Sequence, residues 1–207
     1  MSNSVVVLGG SFNPPTIAHL KIIEAAIKAV NAECGVFIPS SNNYVTRKMS
    51  KKHTDNQVYT EEQRQKMLEL LTENSDFSIF VDTWEYGDDG IGHTYNTLKH
   101  EAETYSDKKI YSILGTDNLA WMCKWRYKDK LFSKFTFIVI TRDGDNAQEI
   151  IDNDSILSLY KDHFVIVKQP AGIEHISSTL ARKLINEHDN TLKDVLDSKI
   201  INFIYSI

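Results

Sequence analysis

The chain has 207 residues, 42% of them hydrophobic, with 23 Lys and Arg against 28 Asp and Glu and a formal net charge of −5. That length suits a single α/β domain over 1–207, large enough to bury a sheet on both faces, and the acidic balance excludes a polyanion-binding surface and with it long nucleic acid as a partner. No apolar run approaches the ~20 residues of a membrane span, and two cysteines without CxxC spacing, Cys34 and Cys123, behind an N-terminus lacking a signal or transit pattern, lead to the expectation of a reducing cytoplasm.

Ser4 to Leu8 is a continuous β-branched run of the kind buried in a parallel sheet. Gly9 and Gly10 are expected to turn the chain sharply, where backbone N–H groups approach an anion, and Pro14 and Pro15 set up a helix start. The helix expected from about Thr16 to Val30 has its apolar stripe on Leu20, Ile23, Ile27 and Val30, with Thr16 and His19 on the same face at its N-terminal end. An imidazole and a hydroxyl side by side at the positive end of a helix favour a polyphosphate; without the glycines, Thr16 is an ordinary N-cap and His19 a cap on a core helix.

A second strand follows near Gly35 to Pro39, then a mobile basic loop from Arg47 to His53, a type of run that is usually just solvated. Glu61 to Thr72 reads as a helix and Phe77 to Val81 as a strand that ends in Val81-Asp82-Thr83-Trp84-Glu85. Trp84 suits either stacking on a flat ring or plugging the core. Thr94 opens a periodic segment to Tyr105, and Ile110 to Leu114 is a strand followed by Gly115-Thr116-Asp117. Asp117 is placed either to cap the next helix or to accept from ribose hydroxyls at the sheet's carboxyl edge. Strands are expected near Phe135 to Thr141 and Phe164 to Val167, with a weaker helix from Ala147 to Leu159 between them; Arg142 follows the first of these strands, within reach of a salt bridge to Asp143 or Asp145. Trp121 is assigned to packing. After a Gln169-Pro170-Ala171-Gly172 turn, Ile176 to Arg182 opens a helix in which Ser177 or Ser178 is the N-cap, Leu180, Leu184 and Ile185 form the buried side, and Arg182 falls one turn beyond Ser178. Taken alone, this is ordinary capping with an exposed Arg182; paired with the first motif it places hydroxyls and a guanidinium fork where phosphate oxygens need donors. The alternation of strand and helix implies a doubly wound, mostly parallel sheet with helices on both faces, closed by a small helical part at about 176–207.

Gly10, Phe12, Pro14, Thr16 and His19 fill in order the nucleotidyltransferase signature Gly-x-Phe-x-Pro-x-(His/Thr)-x-x-His, and Ile176 to Arg182 matches its partner Ile-Ser-Ser-Thr-x-x-Arg. Ala18 departs from the Gly of many members. The Thr form resembles the pyridine mononucleotide adenylyltransferases, and the likeness runs from Val5 to about Ile204, including Lys193 to Ile204 as the closing helix. It implies a Rossmann-like fold and transfer of AMP from ATP to nicotinate or nicotinamide mononucleotide, giving the NAD-type dinucleotide and pyrophosphate. His19, Thr16 and Arg182 are then the catalytic set. Gly10, Ser11, Phe12, Lys48, Gly115, Asp117, Ser177, Ser178 and Thr179 bind ATP, with Tyr44, Arg47 and Lys48 approximating a Tyr-x-x-Lys-Lys segment. Trp84, Glu85, Thr94, Trp125 and Arg142 serve the pyridine mononucleotide, Trp125 by stacking on its ring. Lys48 to Lys52 also reads KMSKK, like a class I aminoacyl-tRNA synthetase loop, but it follows only the second strand and the chain has no length for tRNA-binding domains.

The implied chemistry is in-line attack on the α-phosphorus by a phosphate oxygen already ionised at pH 7, so that positioning and charge stabilisation replace a general base. Mg2+ is expected as part of the ATP substrate rather than on a carboxylate cage, and the seven histidines show no zinc spacing. A different phosphate acceptor such as pantetheine phosphate, a cytidylyl donor, or an inactive nucleotide-binding regulator are the alternatives, and self-association is left open.

Overall fold

The computed structural model describes residues 3–51, 57–87, 93–142 and 144–207. Its strands are β1 (Ser4–Gly10), β2 (Cys34–Pro39), β3 (Ile79–Val81), β4 (Lys109–Gly115), β5 (Thr136–Thr141) and β6 (Phe164–Lys168), in one parallel sheet of order β3-β2-β1-β4-β5-β6. The order reverses at β1, the strand that leads into the Gly10–Pro14 segment, and such reversals are where doubly wound sheets bind ligands. β4 aligns Val7 with Ser112 on one side and Ile113 with Ile138 on the other.

Two compact units divide the chain. The first comprises Met1–Leu8, Ile22–Gly35 and His93–Ala171. Val5, Val6 and Val7 are buried there, as continuous apolar strands must be when both faces are covered, along with Ile113, Leu114 and Val139. Helix α1 (Ile17–Val30) turns Ile23 and Ile27 inward, and Gly35 makes their approach to β2 possible: a Cβ at Gly35 would stand 2.8 Å from Ile23 Cδ1 and 3.0 Å from Ile27 Cδ1.

The second unit comprises Gly9–Lys21, Val36–Gly92 and Gly172–Ile207. Its core joins helix α3 (Glu61–Thr72) to the C-terminal helices through Met67, Leu71, Ala181, Leu184, Leu192, Val195 and Ile200. α3 begins with a capping box in which Thr60 and Gln63 satisfy each other's backbone N–H groups. Among the described residues, no helix is long and apolar enough to cross a membrane.

Several elements differ from the sequence expectation, each for a local reason. β1 runs on through Gly9 and Gly10, and the reversal falls instead at Phe12, whose φ is 43°. Gly10 serves by making room, since a Cβ there would meet the Phe12 ring at 3.0 Å. Arg47 and Lys48 lie not on a loop but on helix α2 (Asn42–Lys51), whose Val45 and Met49 are buried one turn apart; Lys52 and His53 lie outside the described residues. Helix α4 spans Thr94–Thr104, and α5 is the short Thr116–Leu119. Helix α6 (Lys128–Lys134) has no sequence signal at its start, because it begins from Tyr127 in the left-handed region, φ 66°, with no side-chain cap. The Ala147–Leu159 segment splits: α7 (Ala147–Asn153) ends at an extended Asp154, whose Oδ1 accepts from Ile156 N and Leu157 N and starts a separate 3-10 segment over Leu157–His163 that kinks at Tyr160. The closing segment divides similarly, α9 (Ser198–Ile204) restarting from Asp197, which accepts from Lys199 N at 2.8 Å. Trp121 is 58% exposed beneath the Lys124 ammonium rather than packed, because the short turn carrying it buries Met122 instead.

Gly35→Ala is expected to cost about 1–3 kcal/mol, because the added methyl forces Ile23 and Ile27 off their rotamers. Urea unfolding of the variant checks this.

Candidate active site

The turn after β1 is built from buried residues: Phe12, Asn13 and Thr16 expose 2%, 1% and 0% of their surface. Non-glycine residues occupy the left-handed region of Phe12 only when the surroundings hold them there, at about 1–3 kcal/mol. The Phe12 ring is held edge-on between His19, with centroids 5.1 Å apart, and Phe37, at 5.3 Å.

Thr16 stands immediately before α1, and its backbone N–H donates to His19 Nδ1 at 2.9 Å, with Thr16 Oγ1 equally 2.9 Å from the same nitrogen. A ring nitrogen that accepts from a backbone N–H carries no proton, so the neutral tautomer holds its hydrogen on Nε2. Burial, and secondarily the Lys48 ammonium, push the imidazole from its ordinary 6.5 down to about 4, which keeps it neutral at pH 7. Lys48 is exposed on α2, where its Nζ donates to Ser11 Oγ at 3.2 Å and lies 5.9 Å from the Tyr44 ring centre.

The two sequence motifs meet within the second unit. Helix α8 (Ser178–Asn186) has Ser177 as its N-cap, accepting from Leu180 N at 3.1 Å, while Ser178 Oγ donates to the Pro14 carbonyl at 2.8 Å. Arg182 is 4% exposed, which overturns the reading of a solubilising surface residue. Its Nη1 donates to the Asn13 carbonyl at 2.6 Å and its Nη2 to Thr179 Oγ1 at 3.4 Å. Arg64 on α3 belongs to neither sequence motif, yet it is fully buried here and donates through Nη1 to the Ser11 carbonyl at 3.0 Å. The only hint was its helical phase: Arg64 shares a face with Met67, Leu68 and Leu71.

The residues read for the pyridine mononucleotide fall in both units. In the second unit, Trp84 and Glu85 open a 3-10 turn, Trp84 36% exposed and Glu85 buried, so Trp84 does not plug the core. In the first unit, Thr94 begins α4, Gly115 ends β4 as the N-cap of α5, and Asp117 is exposed inside that helix rather than capping it. Trp125 is partly exposed after a 3-10 turn, and Arg142 is exposed, its carbonyl accepting from Asp145 N at 3.0 Å; Asp143 lies outside the described residues.

The cytidylyltransferase-like family matches residues 7–184. A probable nicotinate-nucleotide adenylyltransferase of Clostridium botulinum is 31% identical over 181 residues, 87% of this chain and 86% of that protein, and one from Clostridium acetobutylicum is 29% identical over 199 residues, 96% and 94% of the two chains. The solved Plasmodium falciparum nicotinic acid mononucleotide adenylyltransferase complexed with NaAD shares the fold, with a TM-score of 0.74 at 22% identity over 99% of this chain and 95% of that one. With its two sequence motifs joined after the first strand of a doubly wound sheet, the chain is a cytidylyltransferase-like nucleotidyltransferase. Within that class it belongs to the nicotinate-nucleotide adenylyltransferase family.

A pH dependence follows from His19. Its folded pKa lies below the unfolded one, so the unfolded chain takes up the proton first as pH falls. The stability His19 contributes is whole above about 6.5 and is lost progressively toward pH 4, by up to about 3 kcal/mol. Between pH 7 and pH 4.5 wild type should lose stability relative to His19→Gln in urea unfolding, and an equal pH response of the two would remove His19 as the cause.

Proposed function

We propose that the chain transfers the adenylyl group of ATP to nicotinate mononucleotide, releasing pyrophosphate and forming the dinucleotide. The observation that carries the reading is the bond between Arg182 and the Asn13 carbonyl, which fixes the second phosphate motif on the first. The names of the Clostridium relatives support nicotinate over nicotinamide.

In this mechanism a phosphate oxygen of the mononucleotide attacks the α-phosphorus of ATP in line and pyrophosphate leaves. The nucleophile is already ionised, so the protein's task is to hold two anions together and stabilise charge that grows on the equatorial and leaving oxygens. His19 does this as a neutral donor through Nε2, its orientation fixed by Thr16 at Nδ1. Gly10, Ser11 and Phe12 line the transferring phosphate, Lys48 supplies a cation beside Ser11, and Ser177, Ser178 and Thr179 start the helix that faces the β- and γ-phosphates. Arg182 contributes charge there while holding the Asn13 carbonyl. By resemblance to the family, Gly115 and Asp117 are assigned to the ATP ribose and Arg142 to the acceptor phosphate; Trp84 and Glu85 of the second unit, and Thr94 and Trp125 of the first, are each assigned to the pyridine mononucleotide. Mg2+ enters with ATP as part of the substrate, neutralising its oxygens. Both cysteines are free thiols, Cys34 buried and Cys123 donating to Asp154 Oδ1 at 3.3 Å, the state a reducing cytoplasm maintains, and the proposal places the enzyme there.

Pyrophosphate release measured with ATP and each pyridine mononucleotide tests the reading: nicotinate mononucleotide should be the better acceptor, and release with neither overturns it. His19→Ala should lower kcat by about two to three powers of ten with the fold intact, as loss of one charge-stabilising donor does. Trp125→Ala should instead raise KM for the mononucleotide about five- to tenfold, through lost stacking of about 1 kcal/mol or slightly more.

A further inference from the structure

We infer that Arg64 is a positioning residue for adenylyl transfer, acting on the triphosphate through the Ser11–Asn13 backbone without touching a substrate. The inference rests on the reaction proposed above and assigns it a residue outside both sequence motifs.

All three guanidinium nitrogens are engaged. Nε donates to the Tyr59 carbonyl at 3.3 Å, Nη1 to the Ser11 carbonyl at 3.0 Å and Nη2 to Asn42 Oδ1 at 2.9 Å. Asn13 completes the frame from the other side: its Nδ2 donates to the Gln57 carbonyl at 2.8 Å, and its Oδ1 accepts from Tyr59 N at 2.9 Å. One cation thus ties the residue before the Thr60 cap of α3, the start of α2 and the turn after β1 into a single polar network.

Its effect on the turn follows from where the bonds fall. Phe12 is in the left-handed region, between a Ser11 carbonyl held by Arg64 and an Asn13 carbonyl held by Arg182. A carbonyl bonded to a buried guanidinium is not turned toward a bound anion, so the negative ends of these two peptide dipoles are removed from the path of the phosphates. Scaffolding alone does not call for a charge at this position, because burying an ion costs more than burying an apolar side chain of similar volume. A fixed positive charge behind an anion site does call for one. Burial lowers the Arg64 pKa, yet a guanidinium stays charged, and the Tyr86 ring lies 5.5 Å from it, with Tyr86 Oη donating to the Glu61 carbonyl at 2.9 Å. Lysine offers the same charge without the planar fork that spans three acceptors.

The test compares wild type, Arg64→Met, Arg64→Lys and, as a core-destabilised control on the same helix, Leu68→Ala, assayed with ATP and nicotinate mononucleotide and expressed per folded molecule from circular dichroism. Arg64→Met should lower kcat about ten- to hundredfold, the scale of a displacement near 1 Å at the reacting group, with KM for the mononucleotide within about twofold of wild type. Arg64→Lys should recover part of that loss, and Leu68→Ala should keep kcat per folded molecule. Equal kcat in Arg64→Met and Leu68→Ala overturns the inference while leaving the proposed reaction standing; an inactive wild type overturns both. Should neither Arg64 variant fold, Asn42→Leu releases only the Nη2 hold and should lower kcat about threefold, and an unchanged kcat there overturns the inference.

Discussion

The buried bond from the Arg182 guanidinium to the Asn13 carbonyl is the constraint on which the turn after β1, and with it the proposed phosphate site, depends. Its two ends are 169 residues apart in sequence, so no local propensity creates it. A hydrogen bond with a charged donor contributes about 1.5–3 kcal/mol net, and removal of the donor would leave a buried carbonyl unpaired. The bond is affordable because α8 is already seated by Ala181, Leu184 and Ile185 against Met67 and Leu71 of α3. Apolar packing brings the helix in, and the guanidinium then converts that proximity into a fixed backbone position.

That fixed position is strained, and the strain is local to the proposed chemistry. Phe12 holds a left-handed conformation that a phenylalanine does not choose, wedged between the His19 and Phe37 rings and tethered through both neighbouring carbonyls. The cost is of the same order as the bonds that hold it. His19 is prepared by related means: a backbone N–H claims Nδ1, and burial keeps the ring neutral despite the anionic substrate it is proposed to meet. A group oriented before the reaction begins need not reorganise during it, which is what electrostatic catalysis asks of its donors.

Charge in this chain is therefore better judged by depth than by sum. The net charge is −5, yet the carbonyls of the turn after β1 are held by two buried guanidinium groups, and the exposed Lys48 donates to Ser11. Net charge describes the field of the whole protein, whereas the charge at one turn depends on which cations the fold buries beside it.

Sequence alone determined the strand and helix alternation, the parallel sheet and the two motifs, because each is local: β-branched runs, a 3.6-residue apolar period, and prolines and serines at helix starts report their own backbone preferences. Tertiary structure decided where the turn falls, at Phe12 and not at the glycines before it, since that depends on two rings and two guanidinium groups arriving from elsewhere. It decided that the basic segment after β2 is helical, because Val45 and Met49 find a core to enter. It decided that Asp154 ends one helix and starts a separate turn. Above all it decided the place of Arg64, which in the sequence is one charge among many and in the fold is a buried cation, because burial is a property of what surrounds a residue and not of the residue itself.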